Sequence, residues 1–140
     1  MIARGITPIL NVADLDASFE WFERLGWRKL WDWGEPPGFG AVGSGECEIF
    51  LCRDGQGGRA KMADDLVDSG VWMTIWVDDV DEVHRSCLAH GLEVIHHPTD
   101  EPWGVREMHL RHPDGHVFRI SCGQVPDDHP HDDHPHSHPH

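Results

Sequence analysis

A chain of 140 residues with 11 Lys and Arg against 25 Asp and Glu carries a formal charge of −14 at pH 7. That balance argues against nucleic acid as a partner, because phosphates demand a basic face, and it fits a cationic ligand or simple solubility instead. There is no run of about 18 apolar residues to span a membrane, and Met1-Ile-Ala-Arg-Gly5 lacks the apolar stretch of a secretory leader, so a cytoplasmic protein is expected.

In chain order, residues 5–12 read as a strand and 14–25 as a helix, followed by strands at 27–33, 38–43 and 46–52. Segment 53–69 is polar and glycine-rich around Asp54-Gly-Gln-Gly-Gly58, which reads as a linker or a lid over a site. The order then repeats, with a strand at 71–77, a helix at 79–90 and strands at 92–96, 104–111 and 116–122. A tight turn at His112-Pro-Asp-Gly115 joins the last two. At a constant offset of 65 residues, Val12 falls on Val77, Asp14 on Asp79, Asp16 on Asp81 and Gly26 on Gly91. Asp14 and Asp79 suit helix N-caps, where a carboxylate accepts the unpaired N–H groups of the first turn. Gly26 and Gly91 suit the left-handed residue that closes a helix. Two βαβββ-like halves of this kind point to one domain built by duplication, with a site between the halves.

Helical spacing places Leu15, Phe19, Phe22 and Leu25 on one stripe of the first helix and Val80, Val83 and Cys87 on the second. Period-two alternation sends Pro8, Leu10, Val12, Met73, Ile75, Val77, Met108, Leu110, Phe118 and Ile120 toward the helices. It leaves Thr7, Ile9, Asn11, Trp72, Thr74, Trp76, Glu107, His109, Val117 and Arg119 on the opposite face. Flat apolar surface with a few polar groups is the composition of a ligand cup. The same composition suits a subunit interface, and the two are compatible. The four cysteines include no CxxC pair and are expected as buried thiols. His96, His97, His109 and His116 are scattered and read as surface or hydrogen-bonded groups, so no metal site is expected in the folded body.

Residues 125–140 hold almost only Asp, His and Pro, too little apolar surface to offset chain entropy, so a disordered tail is expected. Its His129, His131, His134, His136, His138 and His140 alternate with carboxylates, a composition that suits weak, adventitious binding of Ni, Zn or Cu.

Three segments resemble one known superfamily. They are Thr7-Pro-Ile-Leu-Asn-Val-Ala-Asp-Leu-Asp-Ala-Ser-Phe-Glu-Trp-Phe-Glu-Arg-Leu-Gly26, Trp76-Val-Asp-Asp-Val-Asp81 and Glu101-Pro-Trp-Gly-Val-Arg-Glu-Met-His-Leu-Arg-His-Pro-Asp-Gly115. The chain is similar here to the vicinal oxygen chelate superfamily of glyoxalases, extradiol dioxygenases and bleomycin resistance proteins. The third segment resembles the resistance branch most. The likeness covers about residues 5–122 and implies an α+β fold of two paired βαβββ modules forming a cupped mixed sheet. The expected domain is 1–124, with module one at 1–58 and module two at 70–124.

The superfamily's enzymes hold a divalent metal on the cup face, and the corresponding positions here are Thr7, Trp72, Arg119 and either Glu48 or Phe50. A tryptophan cannot ligate and a guanidinium repels a divalent cation, so the resemblance implies a binder before an enzyme, with no cofactor. The alternative is a metal-dependent glyoxalase-like lyase or isomerase, or a dioxygenase, whose ligands lie elsewhere. A third reading is metal handling by the tail. In the resistance branch, a homodimer forms two clefts in which aromatic rings clamp the flat part of a cationic antibiotic. The resemblance implies Trp103, Trp31, Trp33 and Phe39 as the stacking groups, with Asp32 and Glu35 as rim charges. Trp72, Trp76, Arg106 and Glu107 complete the candidate ligand set. Trp31 and Trp33 equally suit strand positions in a core.

Overall fold

The computed structural model describes residues 1–55 and 70–124. The expectations for a lid beyond Gly55 and for the His-rich tail lie outside the described residues. The elements follow the predicted order: β1 (Ile9–Val12), α1 (Leu15–Arg24), β2 (Arg28–Trp33), β3 (Phe39–Ser44) and β4 (Cys47–Arg53), then β5 (Trp72–Trp76), α2 (Val80–Ala89), β6 (Glu93–Asp100), β7 (Val105–Arg111) and β8 (Val117–Gly123). Each module is its own four-stranded mixed sheet, ordered β1-β4-β3-β2 and β5-β8-β7-β6. The first strand of each module runs parallel to the last, Ile9 beside Phe50 and Thr74 beside Arg119, and the other pairings are antiparallel.

The repeat of the two modules is visible in the caps. The Asp14 carboxylate accepts from Ala17 N at 3.0 Å and that of Asp79 from Glu82 N at 3.2 Å. Gly26 and Gly91 follow their helices at φ +96° and +71°, values that favour a residue without Cβ. Two strand ends differ from expectation. β1 begins at Ile9 because Pro8 has no N–H for the ladder, although its carbonyl still accepts from Phe50 N at 2.9 Å. β6 runs on through Pro98, which an edge strand with shifted register tolerates.

One core joins both modules. Leu10, Leu51, Phe19 and Phe22 from the first are buried with Met108, Leu110, Phe118 and Ile120 from the second. Helix α1 buries more than the predicted stripe, because Ser18 and Trp21 are also covered. Trp21 packs 5.6 Å from Phe118 and 4.9 Å from His112 (ring centroids), so this helix serves its own sheet and the neighbouring module together.

The His112–His116 turn is the second joint between the modules. His112 Nδ1 accepts from Asp114 N at 3.0 Å, which leaves Nε2–H to donate to Ser18 Oγ at 2.9 Å. His116 Nδ1 accepts from Val71 N at 3.0 Å, and its Nε2–H donates to Asn11 O at 2.8 Å. Both imidazoles are fully buried. Burial, with the neighbouring His116 ring adding to it, pushes the His112 pKa down to about 3. His116 is therefore a structural cross-brace. Of the cysteines only Cys87 is buried, where desolvation pushes its thiol up to about 11; Cys47 is exposed and Cys52 and Cys122 are half-buried, contrary to the expectation of four buried thiols.

Candidate functional site

On the face of the first sheet that lies away from α1, Trp31, Phe39 and Phe50 form a cluster with centroid separations of 5.4–5.5 Å. The ladder sets this up: Ile9, Phe50, Ala41 and Trp31 lie in one row across the four strands, and Asn11, Cys52, Phe39 and Trp33 lie in the next. Phe39 and Phe50 are half-buried, Trp31 is partly open, and Trp33 is 74 % exposed. The rings thus present an apolar face to solvent at an energetic cost that a flat ligand would relieve.

Asp32 lies on the opposite face from these rings. A bulge at Leu30 breaks the alternation, so Lys29 and Asp32 both turn to the helix side and bond at 2.7 Å, with Lys29 Nζ 4.7 Å from the Phe19 ring centre. Asp32 is therefore half of an ion pair beside α1 and not a rim charge next to Trp31. Glu35 is exposed in the turn between β2 and β3.

The equivalent face of the second sheet is polar. Thr74, Arg119, His109 and His96 occupy one row, and Trp76, Ser121, Glu107 and Thr99 the next. Glu107 is only 3 % exposed. Its Oε2 lies 2.9 Å from His109 Nε2 and its Oε1 accepts from Arg119 Nη2 at 2.9 Å. Burial alone would raise this carboxyl, but the hydrogen bonds from His109 and Arg119 and the guanidinium charge outweigh it and hold the pKa below the usual carboxylate range. With both oxygens taken, Glu107 positions its neighbours. Trp72 stands edge-on to His109, 5.5 Å between ring centres, and is half-exposed.

Arg106, expected in the ligand set, lies with Met108 and Leu110 on the helix side. It forks onto both carboxylate oxygens of Asp81 at 2.9 Å and reaches Asp100 at 3.1 Å, which holds the Asp81 carboxyl below its usual range. It anchors the first turn of α2. Trp103 sits at the turn before β7, 61 % exposed, where Gly104 takes φ +97°.

Trp76 lines a groove of about 430 Å³ where the chain before β1 approaches β4 and β5. Thr7, Glu48, Met73 and Thr74 share that lining. Thr7 and Glu48 thus meet in the groove, whereas Phe50 belongs to the aromatic cluster and Arg119 to the Glu107 network. The structure gathers Trp31, Trp33 and Phe39 on one module and Trp72 and Glu107 on the other, and sets Asp32 and Arg106 aside. Sequence reasoning missed Phe50 as a ring of the cluster. Its place on β4 matching that of Arg119 on β8 was the available signal.

The model of the Glyoxalase/Bleomycin resistance protein/Dioxygenase superfamily matches residues 5–120, and the chain belongs to that superfamily. Among solved structures it is similar to TioX from Micromonospora sp. ML1, at 23% identity and a TM-score of 0.68 over 86% of this chain and 100% of that one. It is also similar to the bleomycin resistance determinant encoded on the transposon Tn5, at 21% identity and a TM-score of 0.69 over 88% and 100%. A bleomycin-binding protein complexed with bleomycin matches at 22% identity and a TM-score of 0.68 over 87% and 100%. At these identities the likeness establishes the fold. A search of curated proteins gave no match. Among the described residues no helix is long and apolar enough to cross a membrane.

Proposed function

We propose that this chain is a cytoplasmic, non-catalytic binding protein of the bleomycin resistance type. It sequesters a flat aromatic, cationic small molecule in a cleft completed by a second copy. The observation that carries this reading is the solvent-facing cluster of Trp31, Phe39 and Phe50, with Trp33 in the adjoining row. Each aromatic stacking contact is worth roughly 0.5–1.5 kcal/mol beyond area burial, so two or three give useful affinity. Exposed Trp103 supplies a further ring from the Pro-Trp-Gly turn. The formal charge of −14 favours the approach of a cation. Pairing of two copies would cover sheet edges and apolar rings that a lone chain leaves open.

Titration of the protein with bleomycin and other aromatic cations, read by tryptophan fluorescence, tests the proposal. A saturable change is expected, and Trp103→Ala should weaken binding by roughly 1–4 kcal/mol, the range for an aromatic anchor. Light scattering at tens of micromolar should give a dimer. A monomer, or unchanged affinity in the variant, would count against the shared cleft.

A further inference from the structure

His96 on β6 and His109 on β7 are cross-strand partners, with ring centres 4.6 Å apart and planes inclined by 32°. Each ring is gripped at one nitrogen by a different carboxyl group. His96 Nε2 lies 3.1 Å from Glu101 Oε2, and His109 Nε2 lies 2.9 Å from Glu107 Oε2. A carboxylate takes an N–H, so this network assigns the hydrogen of each neutral ring to Nε2 and leaves both Nδ1 atoms as lone-pair donors to a metal. Neither Nδ1 has a hydrogen-bond partner or is sealed from solvent among the described residues. The two side chains are 37% and 20% exposed.

An imidazole tied through one nitrogen to a carboxylate, with the other nitrogen open, is the arrangement that orients histidines toward metal ions. Here it occurs twice, on adjacent strands and in facing rings. We propose that His96 and His109 form a two-imidazole site for a borderline divalent cation such as Zn²⁺, Ni²⁺ or Cu²⁺, bound through both Nδ1 atoms. Nitrogens at about 2.1 Å from one ion lie about 3–3.5 Å apart. The ring centres stand 4.6 Å apart with planes inclined by 32°, so both rings must turn for their Nδ1 atoms to meet on one ion. Among the described residues no third His, Cys, Asp or Glu converges with them, so water fills the remaining coordination positions and the site exchanges its ion readily. Two carboxyl groups against one guanidinium, itself bonded to Glu107, leave the cluster receptive to a cation. The proposed ligands are different residues from those at the positions where the superfamily's enzymes hold metal, Thr7, Trp72 and Arg119, of which Trp72 and Arg119 adjoin His109. It does not depend on the proposed drug-binding reading.

Imidazole nitrogen NMR of the full chain during a Zn²⁺ titration tests it, because His96 and His109 are observed separately from the six tail histidines. Their Nδ1 resonances should shift together with one shared Kd. In His109→Gln the response of His96 should weaken at least tenfold while the tail signals are unaltered. Glu101→Gln should weaken the joint response by about tenfold, the usual effect of removing such a partner. If His96 and His109 do not move up to millimolar Zn²⁺ while the tail responds, the site does not exist. If His96 responds in His109→Gln as it does in the unaltered protein, the two do not share an ion. Either result overturns the proposal.

Discussion

Lowering the pH from 7 to 4.5 is expected to remove about 3 kcal/mol of folding free energy through the His112 imidazole. The folded pKa is about 3 against an ordinary 6.5, so the unfolded chain binds the proton first. The stabilisation is therefore fully present above pH 6.5 and is lost progressively as pH falls from 6.5 toward 3. The structural reason is local: a proton on Nδ1 would face the Asp114 N–H that this nitrogen now accepts, inside a fully buried joint between α1 and the second module. Urea unfolding at pH 7 and 4.5 measures the effect. His112→Gln should be less stable at pH 7 and lose much less on acidification. An unchanged acid dependence in that variant would show that the joint is not the sensitive element.

Glu107→Ala is expected to cost about 2–4 kcal/mol, because it strips His109 and Arg119 of a buried partner whose two oxygens are both in use. For a body of this size that corresponds to a fall in Tm of roughly 10 °C. The depressed carboxyl pKa has the corresponding sign: this contribution is present above the ordinary Glu range and fades as pH falls through it. Thermal melts followed by circular dichroism decide the point. A variant that melts within a degree or two of the parent would return Glu107 to the role of a ligand contact.

Much of this architecture is legible in the sequence because the two modules repeat the same pattern. The offset that lays Asp14 on Asp79 and Gly26 on Gly91 places both helices, and alternation assigns Leu10, Val12, Phe118 and Ile120 to the core as found. The site was less legible, for reasons that strands hide. The bulge at Leu30 moves Lys29 and Asp32 to the same face, which strict alternation would separate. Arg106, placed in the candidate ligand set, follows the alternation of β7 to the helix side, where two carboxylates take it up. The burial of His112 and His116 depends on contacts with Ser18 and Asn11, 94 and 105 residues away in the chain, which no local pattern reveals.

A binding role rests most directly on the aromatic face of the first module. Calorimetric titration of the parent and of Trp31→Ala with bleomycin, the ligand held by one structural relative, measures it. The parent should bind, and the variant should lose about 1–3 kcal/mol of affinity with a thermal midpoint close to the parent's, because Trp31 is partly open and, among the described residues, its ring neighbours are Phe39 and Phe50. Equal affinity in the two proteins, or a variant that no longer folds, would contradict a binding role for this face.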